Sequence, residues 1–131
     1  MRELVIKRSE WRRGAMLQDH DKWGSVALLN DRGKMCCLGF DALACGVPID
    51  AIRGFTSPEE VPFECLEPDV TKRYAKGRVR EGSFGIYHNS DFVNEAMEIN
   101  DDSTISDEQR EARLIPLLKR IGGYDKVTFI D

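Results

Sequence analysis

Lys34-Met35-Cys36-Cys37-Leu38-Gly39-Phe40 decides the fold, because here an extended backbone has to turn into a helix within a few residues. Just upstream, the run Ser-Val-Ala-Leu-Leu-Asn over residues 25–30 is β-prone, and Asp31-Arg32-Gly33 is a turn signal, so the chain is expected to reverse before Met35. Cys36 to Cys45 then reads as a helix, with Phe40, Leu43 and Ala44 on adjoining faces. A helix that is apolar almost all round belongs at the centre of a fold, covered by other elements. Gly46 supplies its stop.

Working outward, Leu4, Val5 and Ile6 among charged neighbours read as a short strand that leads into a turn at Trp11-Arg12-Arg13-Gly14, followed by a polar loop to Gly24. From Pro48 to Pro68, the prolines at 58, 62 and 68 stand among Glu59, Glu60, Glu64, Glu67 and Asp69. This predicts an irregular acidic surface with at most one short helix, capped by Ser57. Residues 82–88, Gly-Ser-Phe-Gly-Ile-Tyr-His, read as a glycine-loosened strand. Ser90 or Asp91 can cap a helix whose apolar face is Phe92, Val93, Ala96, Met97 and Ile99, ended by Asn100-Asp101-Asp102. Ser106-Asp107-Glu108-Gln109 fits a capping box. Acids in the first turn and Lys119 and Arg120 in the last complement the dipole of that helix.

The buried face of this last helix is expected at Ile115, Leu118 and Ile121, and Pro116 should bend it at a cost of about 3 kcal/mol. Gly122-Gly123 ends it, and Lys126 to Ile130 reads as a final strand. The expected class is α+β: a small mixed or antiparallel sheet of three to four short strands packed against about three helices, with the first and last strands in the same sheet.

With 131 residues and 41% hydrophobic side chains, residues 1–131 are expected to form a single domain with a core that needs no staples. Nineteen basic against 23 acidic residues leave a net charge of −4, so any attraction to nucleic acid or anionic lipid has to be local. No apolar run approaches the roughly 20 residues needed to span a bilayer. Met1 to Glu10 carries charges where a signal peptide needs an apolar core, which predicts a cytoplasmic protein with no membrane partner. The four cysteines are then expected to be free thiols.

Three constellations carry possible chemistry. Cys37 opens a helix, where unpaired N–H groups and the dipole favour a thiolate; His88 is a candidate base, and Asn89 or Asn94 a candidate orienting group, for a cysteine-dependent hydrolase or transferase. Asp41, one turn beyond Cys37, works against this by raising the thiol pKa. The competing reading packs Cys36, Cys37 and Cys45 into the core as small hydrophobes. Metal ligation is not expected, because Cys37 and Cys45 would stand roughly 12 Å apart along a helix and no Cys-x-x-Cys spacing occurs. Asn100-Asp101-Asp102 has Ile105 where a calcium loop needs glycine, and no glycine signature of a nucleotide cofactor is present, so no cofactor is expected.

The third constellation is basic. Lys72, Arg73, Lys76, Arg78 and Arg80 around Tyr74 form a candidate binding patch for a phosphorylated, nucleotide-like ligand, a host protein or nucleic acid, through charge and stacking. Arg12 and Arg13 extend it if the first strand lies beside it, and Trp11 and Trp23 offer exposed apolar contacts.

Taken together, Trp11-Arg12-Arg13-Gly14, Gly33 to Phe40, Ile99-Asn100-Asp101-Asp102 and Arg110-Glu111 resemble small proteins of bacteriophages and prophages with no agreed activity. The resemblance implies a phage-type accessory protein that acts in the host cell by binding host components. Locally, Cys36 to Phe40 with Gly46-Val47-Pro48 is similar to the nucleophile segment of NlpC-type papain-like cysteine peptidases, which would make Cys37 the nucleophile. Ser83-Phe84-Gly85-Ile86-Tyr87 is similar to the histidine strand of those enzymes, with Ser83 in the histidine's place.

Overall fold

The computed structural model of the chain describes residues 2–14, 27–82 and 87–131. Its elements in chain order are β1 (Glu3–Lys7), α1 (Cys37–Ala44), α2 (Pro68–Ala75), β2 (Val79–Glu81), β3 (Tyr87–Asn89), α3 (Asp91–Asp101), α4 (Asp107–Gly122) and β4 (Lys126–Ile130). The class is α+β.

In β1 the side chains alternate, Leu4 and Ile6 inward and Glu3, Val5 and Lys7 outward, as a strand with one covered face requires. The first and last strands do share a sheet. They run parallel, with Leu4 opposite Val127 and Ile6 opposite Phe129. The expected single sheet is replaced by two, because β2 and β3 pair only with each other, as an antiparallel hairpin with Arg80 opposite His88. The outer edge of that hairpin is met by the turn Pro58–Glu60: Asn89 N–H donates to Glu59 Oε2 at 3.1 Å, and Glu59 N–H donates to Asn89 Oδ1 at 3.3 Å. Of the strand expected over residues 82–88, the described part is Tyr87–Asn89; residues 83–86, Ser83 among them, lie outside the described residues.

Residues 27–30 form no strand, the backbone bending at Ala27 and Leu28. Leu28 N–H donates to Phe55 O at 2.7 Å, Leu29 makes a single bridge to Arg53, and Met35 a single bridge to Trp11. The turn after them forms as expected, with Asn30 Oδ1 accepting from the N–H groups of Arg32 (2.9 Å) and Lys34 (3.0 Å).

α1 buries Cys37 through Ala42 and packs against β1 and α3, so it is the central element its composition predicts. Gly39 is what allows this. A Cβ there would stand 2.0 Å from the carbonyl oxygen of Leu28, so only glycine lets the preceding segment lie on the helix.

α2 is a fourth helix, where about three were expected and none was placed over residues 68–75. Pro68 occupies its first turn with Asp69, and Lys72 and Arg73 its last, the arrangement that suits both proline geometry and the helix dipole. α3 is capped by the Ser90 side chain, which accepts from Val93 N–H at 3.1 Å, and α4 by the expected box between Ser106 and Gln109. α4 stays helical through Pro116; its buried residues are Arg110, Leu114, Leu118, Ile121 and Gly122, with Ile115 only partly covered. No helix among the described residues is long and apolar enough to cross a membrane.

Candidate functional site

The basic cluster divides once it is folded. Tyr74 faces inward from α2 and is fully buried, and Arg78 is 2% exposed, so both leave the surface patch predicted for them. Asp41 is the reason. It lies in the buried middle of α1, where a carboxylate needs a full set of donors, and Arg78 supplies a fork: Nη2 to Oδ1 at 2.6 Å and Nε to Oδ2 at 2.8 Å. The Tyr124 hydroxyl donates to the same Oδ1 at 2.5 Å. Burial pulls the Arg78 pKa down, but its bonds and charge contact with Asp41 more than offset this and leave it raised. The remaining Nη1 of Arg78 donates to Lys76 O at 2.8 Å and Arg73 O at 3.2 Å, pinning the end of α2. The Tyr74 hydroxyl is buried without a hydrogen-bond partner, and burial followed by the nearby Asp41 charge raises its pKa.

What stays outside is Lys72, Arg73, Lys76 and Arg80. Arg80 pairs with Asp91 at 3.3 Å. Arg73 and Lys76 turn instead into a cleft of about 350 Å³ that they share with Arg2, Arg120 and the Gly122-Gly123 turn. Gly77 closes its floor: with φ at +82°, and a Cβ that would fall 2.4 Å from Ile121 O, only glycine brings this turn against the end of α4. Arg2 and Arg120 were not part of the predicted patch, since they stand 71 and 47 positions from Arg73 and meet it only through β1 and the last turn of α4. The one available signal was Arg120 at a helix end.

The charges in this cleft are partly spoken for. The C-terminal ends of α1, α2 and α4 converge here: Arg73 Nη1 donates to Cys45 O at 2.7 Å, and Arg2 Nη1 donates to Gly122 O. Each helix end carries at most about half a negative charge, about one and a half in all. Arg2, Arg73, Lys76 and Arg120 bring four positive charges, and no carboxylate pairs with them among the described residues. A surplus of more than two positive charges remains, comparable to the roughly −1.5 to −2 of a phosphate group.

Arg12 and Arg13 do not extend the cleft. Arg12 is fully buried, and Arg13 pairs with Asp107 at 3.0 Å while its guanidinium lies 4.7 Å from the Trp11 ring centroid. Trp11, expected as an exposed contact, is fully buried, because its indole N–H has an acceptor in Asn100 Oδ1 at 2.8 Å. Trp23 lies outside the described residues.

Cys37 and His88 sit in different surroundings. Cys37 is fully buried, its N–H donating to Asn100 Oδ1 at 3.0 Å. Burial, followed by the neighbouring Cys36, Asp101 and Asp41, holds its thiol well above the ordinary range. The advantage of the helix start is overcome because no water reaches a thiolate there. Cys36 is likewise pushed up to about 12 by burial, and Cys45 is raised. His88 is exposed on β3 opposite Arg80, and Asn89 is occupied with Glu59 and, through Nδ2 at 3.5 Å, with Asn94. Cys65 is the exposed thiol, and there is no disulfide among the four cysteines.

Trp11, Arg12, Gly14 and Cys37 meet at one buried residue. Asn100 accepts from Trp11 and Cys37 as above, its Nδ2 donates to Arg12 O at 3.0 Å, and its carbonyl accepts from Gly14 N–H at 2.8 Å. Arg110, also buried, donates to the carbonyls of Ile99 (3.3 Å) and Asp102, tying α4 to the end of α3. This node is scaffold: its polar atoms satisfy one another. No group of three or more His, Cys, Asp or Glu side chains among the described residues is placed to hold a metal ion. The chain matches no protein-family model, no curated protein and no solved structure.

Proposed function

We propose that this chain is an accessory protein of the phage type its motifs resemble, working by binding a phosphorylated small molecule whose phosphate lodges between Arg2, Arg73, Lys76 and Arg120. The observation that carries this reading is the convergence of those four cations on one cleft of about 350 Å³, a concave site at the lower end of the small-molecule range, in a chain whose net charge is negative. Forked guanidinium groups on two sides of a cleft suit tetrahedral oxyanions, and the three converging helix ends explain only part of the charge.

Titration calorimetry with sodium pyrophosphate at low salt tests it. The wild-type chain is expected to bind with an affinity that falls as salt rises, and Arg73→Gln with Lys76→Gln to weaken binding by about tenfold or more without altering the circular dichroism spectrum. Binding unchanged in that double variant would remove the cleft as the phosphate site. Arg78 is left intact in this test, because losing it would strand Asp41 in the core.

A further inference from the structure

Arg120 lines two cavities. Beyond the basic cleft it borders a groove of about 840 Å³ between α3 and α4, whose walls include Phe92, Glu95, Glu98, Ile99 and Leu117. Its guanidinium lies 4.7 Å from the Phe92 ring centroid, so the residue joins the cleft to an aromatic platform. Phe92 is 37% exposed, unusual for a large apolar ring on a helix that otherwise buries Val93 and Ala96. The floor of the groove is apolar, and much of its rim accepts hydrogen bonds. Glu95 and Glu98 supply carboxylates, Asp102 adds one whose Oδ1 already accepts from Thr104, and Pro116, having no N–H, leaves the carbonyl of Ala112 without its helical partner; Arg113 is the donor on the same rim.

Building on the phosphate reading above, we infer that the ligand is a guanine nucleotide, with its phosphates in the basic cleft and its base in the groove between α3 and α4. A flat base stacks on an aromatic ring or a guanidinium plane, and the Phe92–Arg120 pair provides both. Carboxylates at neutral pH only accept, so they favour a base edge with adjacent N–H donors. Guanine presents N1–H and the 2-amino group side by side; adenine presents an acceptor beside its single amino group and would leave a carboxylate facing a lone pair. Arg120 is then the positioning contact between the two halves.

The test is a set of calorimetric titrations of the full chain with sodium pyrophosphate, GDP and ADP, repeated with Phe92→Ala and with Glu95→Ala/Glu98→Ala. The groove predicts that GDP binds at least about tenfold more tightly than either pyrophosphate or ADP. Both variants should lower GDP affinity toward that of pyrophosphate while leaving pyrophosphate binding undiminished. The double glutamate variant changes exposed helix positions only, so it reads out recognition even where Phe92→Ala loosens the fold. GDP no tighter than pyrophosphate, or ADP equal to GDP, overturns the inference while the phosphate cleft stands. A chain that binds none of the three fails at the cleft itself and takes the inference with it.

Discussion

Asn100 and Asp41 show what single residues do in this chain. Each is fully buried, and each is tolerated because its polar atoms are matched by donors or acceptors from sequence-distant segments. Asp41→Ala is expected to lower stability by about 3–5 kcal/mol in urea denaturation, because Arg78 would be left charged and unpaired in the interior, whereas Asp41→Leu with Arg78→Met should recover much of that loss. A single variant as stable as the wild type would contradict the buried ion pair. The thiols test burial directly. At neutral pH a thiol reagent is expected to label Cys65 quickly and Cys36, Cys37 and Cys45 only on unfolding, with the modified residue read by mass spectrometry. Rapid labelling of Cys37 in the folded chain would return it to consideration as a nucleophile. From the sequence, Asp41 could be read as a neighbour that raises the Cys37 pKa, and it does contribute in that direction. Its partner Arg78, 37 positions away, could not be read.

Elements were legible where their ends carry local chemistry. The Ser90 and Ser106 caps and the Gly122-Gly123 stop are short-range signals, and α3 and α4 begin and end within a residue or two of them. Ser106→Ala is expected to cost about 1 kcal/mol by chemical denaturation, since Gln109 N–H loses its acceptor. Gly77→Ala should cost more, because the residue combines a positive φ with a carbonyl 2.4 Å from the new methyl; it should also weaken pyrophosphate binding by displacing Lys76 from the cleft. A variant with wild-type stability would show that this turn can move. α2 was missed because Pro68 and the charges after it read as an irregular surface patch, although Pro68 with Asp69 at the start and Lys72 with Arg73 at the end is a helix signature too. Tyr74 is the residue through which this helix is anchored in the core.

For the whole molecule, acid sensitivity follows from which carboxylates gain partners on folding. The Arg13 hydrogen bond holds Asp107 below the ordinary aspartate range, and the Thr56 hydroxyl does the same for Glu60. A depressed carboxylate contributes stability that is complete above its unfolded pKa, about 4, and is lost as pH falls through the folded value. Thermal midpoints measured from pH 6 down to pH 3 should therefore fall below about pH 4, and less steeply in Asp107→Asn. Asp101, raised by burial, opposes this trend. A midpoint that rose on acidification would show that Asp101 dominates. By itself the sequence determined the class, the helix caps, the turn at Asp31 to Gly33, the central apolar helix and the presence of a strand near each end of the chain, because each rests on periodicity or on chemistry within a few residues. Only the tertiary structure decided that Arg78 and Tyr74 belong to the core, that Trp11 and Asn100 are joined, and that Arg2 and Arg120 complete a cleft begun by Arg73 and Lys76. Whether a charged side chain faces water or a buried partner depends on which distant backbone is packed beside it, and no local pattern of residues encodes that.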